Sequence, residues 1–135
     1  MADLSITAAN VRIGSDAVTQ LVQFGEAVTP GQPVYISSSK YYKADADDGD
    51  KYEATAIAMS HASADDYGLI QLRGSLNIGA TTVEGMVYVL SDTAGGVKPT
   101  ADLATGDYTT ILMVATDASG NCELAIQAFD ATKAA

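Results

Sequence analysis

The chain of 135 residues has no tryptophan, one cysteine, one histidine and three prolines. With Cys122 alone, an intrachain disulfide is impossible, so the fold must depend on its hydrophobic core. No apolar run approaches the ~18 residues of a transmembrane helix. The first residues have neither the basic nor the apolar stretch of a signal peptide. We therefore expect no membrane partner and no secretory leader.

Basic residues are also few. Seven Lys and Arg stand against 17 Asp and Glu, which gives a formal net charge of −10. A phosphate backbone would be repelled, so we expect no nucleic-acid partner. The hydrophobic fraction of 47% argues against disorder, while only 18% of residues are charged. So few charges suit a protein whose faces are covered by neighbours.

Catalytic motifs are missing as well. His61 is the only histidine, so a Ser-His-Asp or Cys-His arrangement would have to use it. The chain has no GxSxG motif, no HExxH motif and no glycine-rich phosphate loop. We therefore predict no catalytic residue, no cofactor and no enzymatic activity. The enzymatic alternative is a small hydrolase built on His61, which would lose its turnover in His61→Ala.

The strongest local charge is the acidic loop at residues 45–50, Asp45-Ala46-Asp47-Asp48-Gly49-Asp50. Calcium favours several carboxylates in a short turn, but the EF-hand spacing fails. Counting from Asp45, Gly49 stands at position 5 and Ala56 at position 12, where oxygen ligands are required. The spacing favours a solvated loop, and we predict no metal site.

What the chain does contain is an internal repeat. Residues 28–74 and 83–129 look like two copies of one unit. The matching segments are Gly31–Ser37 with Gly85–Ser91, Lys43 with Lys98, Tyr52 with Tyr108, and Ala56–Ser63 with Leu112–Ser119. The shared positions are turn glycines, tyrosines and small apolar residues, not reactive side chains. A duplicated framework of this kind favours a structural scaffold over an enzyme.

Strand signals dominate both units. Residues 85–90 are rich in β-branched and aromatic side chains, and residues 109–116 form the apolar run of a strand buried on both faces. Residues 121–127 alternate between apolar and polar, and residues 67–73 are their counterpart in the first unit.

Three local assignments complete the prediction. Residues 54–64 have helical propensity, but the second copy has poor helix formers there, so we predict a strand in both. Residues 118–121 are a candidate two-residue hairpin, and a short helix is possible near residues 100–105. The predicted fold is all-β, a compact small β-barrel or β-sandwich with an internal two-fold sequence repeat and an extended N-terminal arm.

We assign residues 1–27 to the arm and residues 28–135 to the β domain. Leu4, Ile6, Val11 and Ile13 fall in short alternating patterns within the arm, which has no counterpart in the repeat. Either the arm is extended and pairs with the body or with another chain, or it supplies the first strands of the domain.

Tyrosines outnumber phenylalanines by seven to two. Tyrosine suits interfaces because it combines an apolar face with a polar end, and it equally suits the rim of a small barrel. Tyr35 and Tyr88 fall at matching places in the two units and are predicted to be structural. One alternative function follows: a tail-fibre or baseplate-type module that recognises host surface glycan with a tyrosine platform.

Four segments resemble the small proteins encoded beside capsid genes in tailed phages and prophages. They are residues 1–11 (MADLSITAANV), 31–35 (GQPVY), 87–96 (VYVLSDTAGG) and 101–108 (ADLATGDY). The chain thus resembles the head decoration, or capsid cement, family. The resemblance implies a compact β fold, often a homotrimer, bound to the outer surface of the capsid. It also implies a non-enzymatic role.

The expected partners are therefore the major capsid protein and further copies of the chain. The expected location is the outer surface of the virion, after synthesis in the host cytoplasm. Within the chain, we predict that Leu4, Ile6, Val11 and Ile13 contact the capsid or a neighbouring subunit by strand addition.

Overall fold

The computed structural model describes residues 3–134, which form one sheet of ten strands. All the strand pairs are antiparallel, and the only helical residues in this range lie in two short 3-10 turns, Ala8–Asn10 and Thr100–Asp102. The strands are β1 (Arg12–Ile13), β2 (Val18–Gln23), β3 (Pro33–Ser37), β4 (Lys40–Lys43), β5 (Ala56–Ala58), β6 (Tyr67–Asn77), β7 (Val87–Leu90), β8 (Val97–Pro99), β9 (Tyr108–Ala115) and β10 (Asn121–Thr132). The all-β prediction is confirmed.

The internal repeat is visible in the strand order β4-β3-β5-β6-β10-β9-β7-β8. Read outward from its centre, each half has the same succession of strands. The halves join where β6 pairs with β10, from Asn77 opposite Asn121 to Gly74 opposite Leu124. The two units therefore pair within one sheet, an arrangement that the sequence left open.

Matching backbone bonds define the register of the repeat. The N–H of Gly31 donates to the carbonyl of Ala58 at 2.8 Å, and that of Gly85 donates to Ala115 at 2.8 Å. Both glycines have positive φ, +95° and +81°, a conformation that glycine adopts without strain. The glycines are equivalent, as the sequence predicted.

Counting from these glycines corrects one pairing. Val34 and Tyr88 both stand three residues after their glycine, so Tyr88 matches Val34 and not Tyr35. A one-residue slip reverses the face to which a strand side chain points. Tyr88 is almost fully buried, whereas Tyr35 is half-buried on the face opposite Val34.

The first unit curls into a small barrel, formed by β2, β3, β4, β5 and residues 67–73 of β6. It closes where Phe24, just after β2, bridges Tyr41 of β4, and the N–H of Gly25 donates to the carbonyl of Tyr41 at 2.8 Å. Inside it lies the smaller core: Val22, Phe24, Val28, Val34, Tyr41, Ala56, Ala58 and Ile70.

The second unit is an open half-barrel, formed by β1, residues 74–77 of β6, β7, β8, β9 and β10. Residues 44–55 of the first unit cover its interior. The N–H of Ala46 donates to the carbonyl of Ser91 at 3.0 Å, and that of Tyr108 to Ala46 at 2.8 Å. The larger core therefore draws on both units: Ala44, Ala46, Tyr52, Ala54, Ile57, Leu76, Ile78, Tyr88, Leu90, Val97, Leu112, Met113, Ala115, Cys122 and Leu124.

Gly74 is the point at which β6 changes partners. Residues 67–73 pair with β2 and β5, whereas residues 74–77 pair with β1 and β10. The φ of Gly74 is +95°, and a Cβ added there would lie 2.5 Å from the carbonyl oxygen of Asp16. Only glycine fits this bend without strain.

Two local assignments are settled. Residues 54–64 contain the strand β5, with three buried residues, and no helix. The two-residue hairpin at residues 118–121 was wrong. The loop between β9 and β10 spans residues 116–120 because the Asp117 carboxylate accepts from the N–H groups of Ser119 at 2.8 Å and Asn121 at 3.3 Å.

Candidate interaction surfaces

The predicted arm lies along its own chain. The N–H of Leu4 donates to the carbonyl of Val97 at 2.7 Å, and that of Thr7 to Gly79 at 2.8 Å. The hydroxyl of Ser91 also donates to the Asp3 carboxylate at 2.6 Å. These bonds attach the start of the arm to the half-barrel.

The four predicted contact residues differ in exposure. Leu4 and Ile6 are partly buried and pack against the larger core. Ile6 and Val11 come together over Gly31, where an added Cβ would lie 2.9 Å and 3.3 Å from their methyl groups. Ile13 is different, because 51% of it is exposed. Of the four, Ile13 is thus the most accessible to a partner.

A second apolar surface was not among the sequence predictions. Leu21 on β2 pairs with Leu69 on β6, and Tyr67 lies two residues before Leu69, so all three side chains share one face. Leu21 is 67% exposed and Tyr67 is 65% exposed. We call Leu21, Tyr67 and Leu69 the outer strip. The sequence shows that Leu21 is apolar, but it could not show which strand would lie beside Leu21.

The half-barrel also has an apolar outer face. A shallow open groove of about 610 Å³ runs between the loop before β7 and the strands β7 and β9. Its apolar lining includes Val83, Met86, Val87 and Ile111. Val83 is one of the few large hydrophobic side chains that are mostly exposed.

A polar cleft of about 500 Å³ separates the arm from the loops that follow β6 and β9. Arg12 is its charged lining residue, and Ser5, Thr7, Asn10, Asn77, Thr81 and Ser119 supply hydroxyl and amide groups. The Asn77 side-chain amide is already used, because it donates to the carbonyl of Ser119 at 3.0 Å and to Asn121 at 3.1 Å.

The acidic loop at residues 45–50 is organised by its own backbone. The carboxylate of Asp45 accepts from the N–H of Asp47 at 3.0 Å, and that of Asp48 accepts from Asp50 at 2.8 Å. Such bonds stabilise turns without any ion. Across residues 3–134, no three His, Cys, Asp or Glu side chains are grouped so that they could hold a metal ion.

The tyrosines do not form one exposed platform. Tyr41, Tyr52 and Tyr88 are buried, and Tyr67 is the only tyrosine counted among the exposed large side chains. Tyr52 and Tyr108 stack with ring centroids 4.1 Å apart and an interplanar angle of 9°. This pair joins the two units and has a structural role.

The two candidate residues for nucleophilic chemistry, His61 and Cys122, lie on different elements, His61 between β5 and β6 and Cys122 on β10. His61 is exposed in the turn after β5, where the hydroxyl of Ser60 accepts from the N–H of Leu69 at 2.9 Å. Cys122 is buried, and this burial, with a smaller contribution from Asp117, raises the pKa of its thiol to about 12. A thiol with so high a pKa is a poor nucleophile at neutral pH.

The comparisons with known proteins add no assignment. No family model matches the chain, and no curated protein matches it. Among residues 3–134 we also find no helix with the length and hydropathy of a membrane span.

Proposed function

We propose that the protein is a structural virion protein of the head decoration type. It binds the outer surface of a phage capsid and holds neighbouring major capsid subunits together. The sequence resemblance suggests the family, and the exposed apolar side chains on separate faces are the observation that carries the proposal. The smaller and larger cores are filled by other residues, so these exposed side chains are available to contact a partner.

The exposed apolar residues lie on several elements. Ile13 is on β1, Leu21 on β2, Tyr67 on β6, Ile36 on β3 and Val83 in the loop before β7. Each exposed aliphatic side chain that becomes buried contributes about 1.5–3 kcal/mol. A protein with several such contacts suits a lattice, because it can touch more than one neighbour.

The mechanism is physical rather than catalytic. A trimer would engage several lattice sites at once, so its avidity would exceed the affinity of one contact by orders of magnitude. A protein that binds only the expanded lattice stabilises that lattice by mass action. Neither step requires a reactive side chain, a cofactor or a metal ion.

The predicted arm contact can be tested at its exposed residue. Ile13 offers the accessible side chain, whereas Leu4 and Ile6 support the larger core. Deleting residues 2–14 would remove capsid contacts and core packing together. The substitution Ile13→Asp is a more specific test than the deletion, because it changes only an exposed residue.

The first experiment is co-sedimentation of the purified protein with expanded phage heads that lack it. We expect saturable binding and trimers in the unbound fraction by mass photometry. Ile13→Asp should weaken binding at least about tenfold, which corresponds to one lost apolar contact. Ser37→Asp is the control, because it adds the same charge at an exposed strand position that carries no apolar side chain, and it should leave binding unchanged.

The outcomes separate two claims. If the unmodified protein does not bind heads, decoration is refuted and binding to host glycan should be tested next. If it binds but Ile13→Asp binds equally well, decoration stands and the arm contact is refuted. Leu21→Asp then tests the outer strip.

A further inference from the structure

The strand β10 has an open edge. It is 12 residues long, but it pairs with β6 only at Asn121–Leu124. Between residues 125 and 132 it pairs with β9 on one side at Gln127, Ala128 and Thr132, with a register shift before Gln127 and another after Ala128. Within residues 3–134, no strand lies against the other side of this stretch.

The bend at Gly74 explains the opening. Had β6 continued straight, its residues before Gly74 would have run beside β10 beyond Leu124. Instead, residues 67–73 turn away to pair with β2 and β5. The backbone groups of β10 that would have met them have no strand partner among residues 3–134.

This edge lacks the side chains that usually protect an edge strand. Natural edge strands commonly carry lysine or proline, which discourages pairing with another chain. Residues 125–132 read AIQAFDAT, with no lysine, no proline and one charged residue, Asp130. Ile126 and Ala128 pack against the larger core and hold the strand extended. A pre-formed edge of this kind lowers the entropy cost of adding a strand.

The charges around the edge select its partner. Burial, and then the negative charges of Asp130 and Glu53, raises the pKa of Tyr52, so both carboxylates lie near that ring. Tyr52 stacks on Tyr108, which pairs with Thr132 at the end of the edge. The acidic loop at residues 45–50 is also close, because a Cβ at Gly49 would lie 3.2 Å from the Tyr108 hydroxyl.

We propose that residues 125–132 are a docking edge for an extended segment of another protein that carries Lys or Arg side chains. The segment adds to the sheet as a strand beside β10, and its cations face the carboxylates around Tyr52 and Tyr108. A second copy of this chain is a poorer occupant, because each copy has a net charge of −10. The inference does not depend on binding to capsids.

The test uses amide hydrogen exchange, measured by NMR, with two synthetic peptides of about eight residues, a usual strand length. One peptide alternates Val and Lys, and the other alternates Val and Glu. In the free protein, the amides of residues 125–132 that point to the open edge should exchange quickly. The Val–Lys peptide should slow them on the order of tenfold, and the Val–Glu peptide should not.

Two controls separate strand addition from simple charge attraction. A Val–Lys peptide N-methylated at every residue keeps its charge but has no N–H to donate from either edge, so it should give no protection. The variant Glu53→Gln/Asp130→Asn should bind the unmodified Val–Lys peptide more weakly, while its amide spectrum elsewhere stays unchanged.

Three results would overturn the proposal. The first is no protection by the Val–Lys peptide, and the second is equal protection by the N-methylated peptide. The third is protection that rises with protein concentration in the absence of peptide, since the occupant would then be a second copy.

Discussion

Replacing Lys98 by methionine would isolate a buried negative charge. The Lys98 side chain is 6% exposed, and its Nζ lies 3.4 Å from the carboxylate of Asp107, which is 5% exposed. A second carboxylate, that of Asp92, lies 3.2 Å away and is 42% exposed. Burial alone would lower the pKa of Lys98, but hydrogen bonds and charges from Asp92 and Asp107 outweigh it and raise that pKa. Lys98 therefore keeps its positive charge at neutral pH.

In Lys98→Met, Asp107 would stay buried without its cation. Changes of this kind cost about 3–5 kcal/mol. We expect a value near 3 kcal/mol, because the Lys98–Asp107 contact is long and methionine still fills the apolar part of the site. For a domain of this size, that loss lowers Tm by about 10 °C.

Urea unfolding at pH 7 measures this cost. The double variant Lys98→Met/Asp107→Asn removes both charges, so it should recover most of the loss. Lys40→Met is the matched control. It breaks the shorter Lys40–Asp65 contact of 2.6 Å, but that pair is largely exposed, so its loss should cost clearly less than the loss of the buried pair. Equal losses for Lys98→Met and Lys40→Met, or for the single and double variants, would refute the reasoning.

Three further predictions concern single residues. Cys122, with a pKa raised to about 12 by burial, should react with a thiol reagent only in urea; rapid labelling of the native protein would contradict its placement. Gly74→Ala should lower the free energy of unfolding in urea by about 1–3 kcal/mol, because the φ of Gly74 is +95° and the added Cβ would meet backbone atoms. An unchanged urea midpoint would refute the claim that this bend requires glycine. Hydrogen bonds from Asn121 and Ser119 lower the pKa of Asp117 below its usual value of 3.8. The stabilisation that the charged carboxylate gives the fold is therefore fully present above pH 3.8, and it is lost as the pH falls through the pKa of Asp117 in the folded protein. Asp117→Asn should therefore lose less stability on acidification than the unmodified protein, as followed by thermal unfolding between neutral pH and pH 3.

The strand content and the repeat could be predicted because they depend on local patterns. Alternation in residues 121–127 marks β10, and comparison of the two units distinguishes strand from helix at β5. The alignment of Gly31–Ser37 with Gly85–Ser91 already matches Val34 with Tyr88, and the backbone bonds of Gly31 and Gly85 agree with it. The pairing of Tyr35 with Tyr88 was wrong by one residue because it followed residue type.

The candidate surfaces depend on long-range packing, which a single sequence does not specify. Ile6 and Ile13 have similar alternating patterns, yet Ile6 packs on the larger core and Ile13 is exposed. The difference arises because the chain that covers Ile6 comes from distant segments. The open edge of β10 could not be predicted from the sequence either, because it follows from the bend at Gly74 in β6.

Some contacts of the arm and of residues 44–55 can form only late in synthesis, because their partners are made late. The small barrel needs only residues 18–73, so its strands can pair as soon as they leave the ribosome. Leu4 cannot reach its partner until Val97 has been made, and the segment 44–55 waits for Tyr108. Contacts so far apart in the chain close slowly. While its second half is being translated, the nascent protein can therefore attach its arm through Thr7 and β1, but Leu4 stays without its partner.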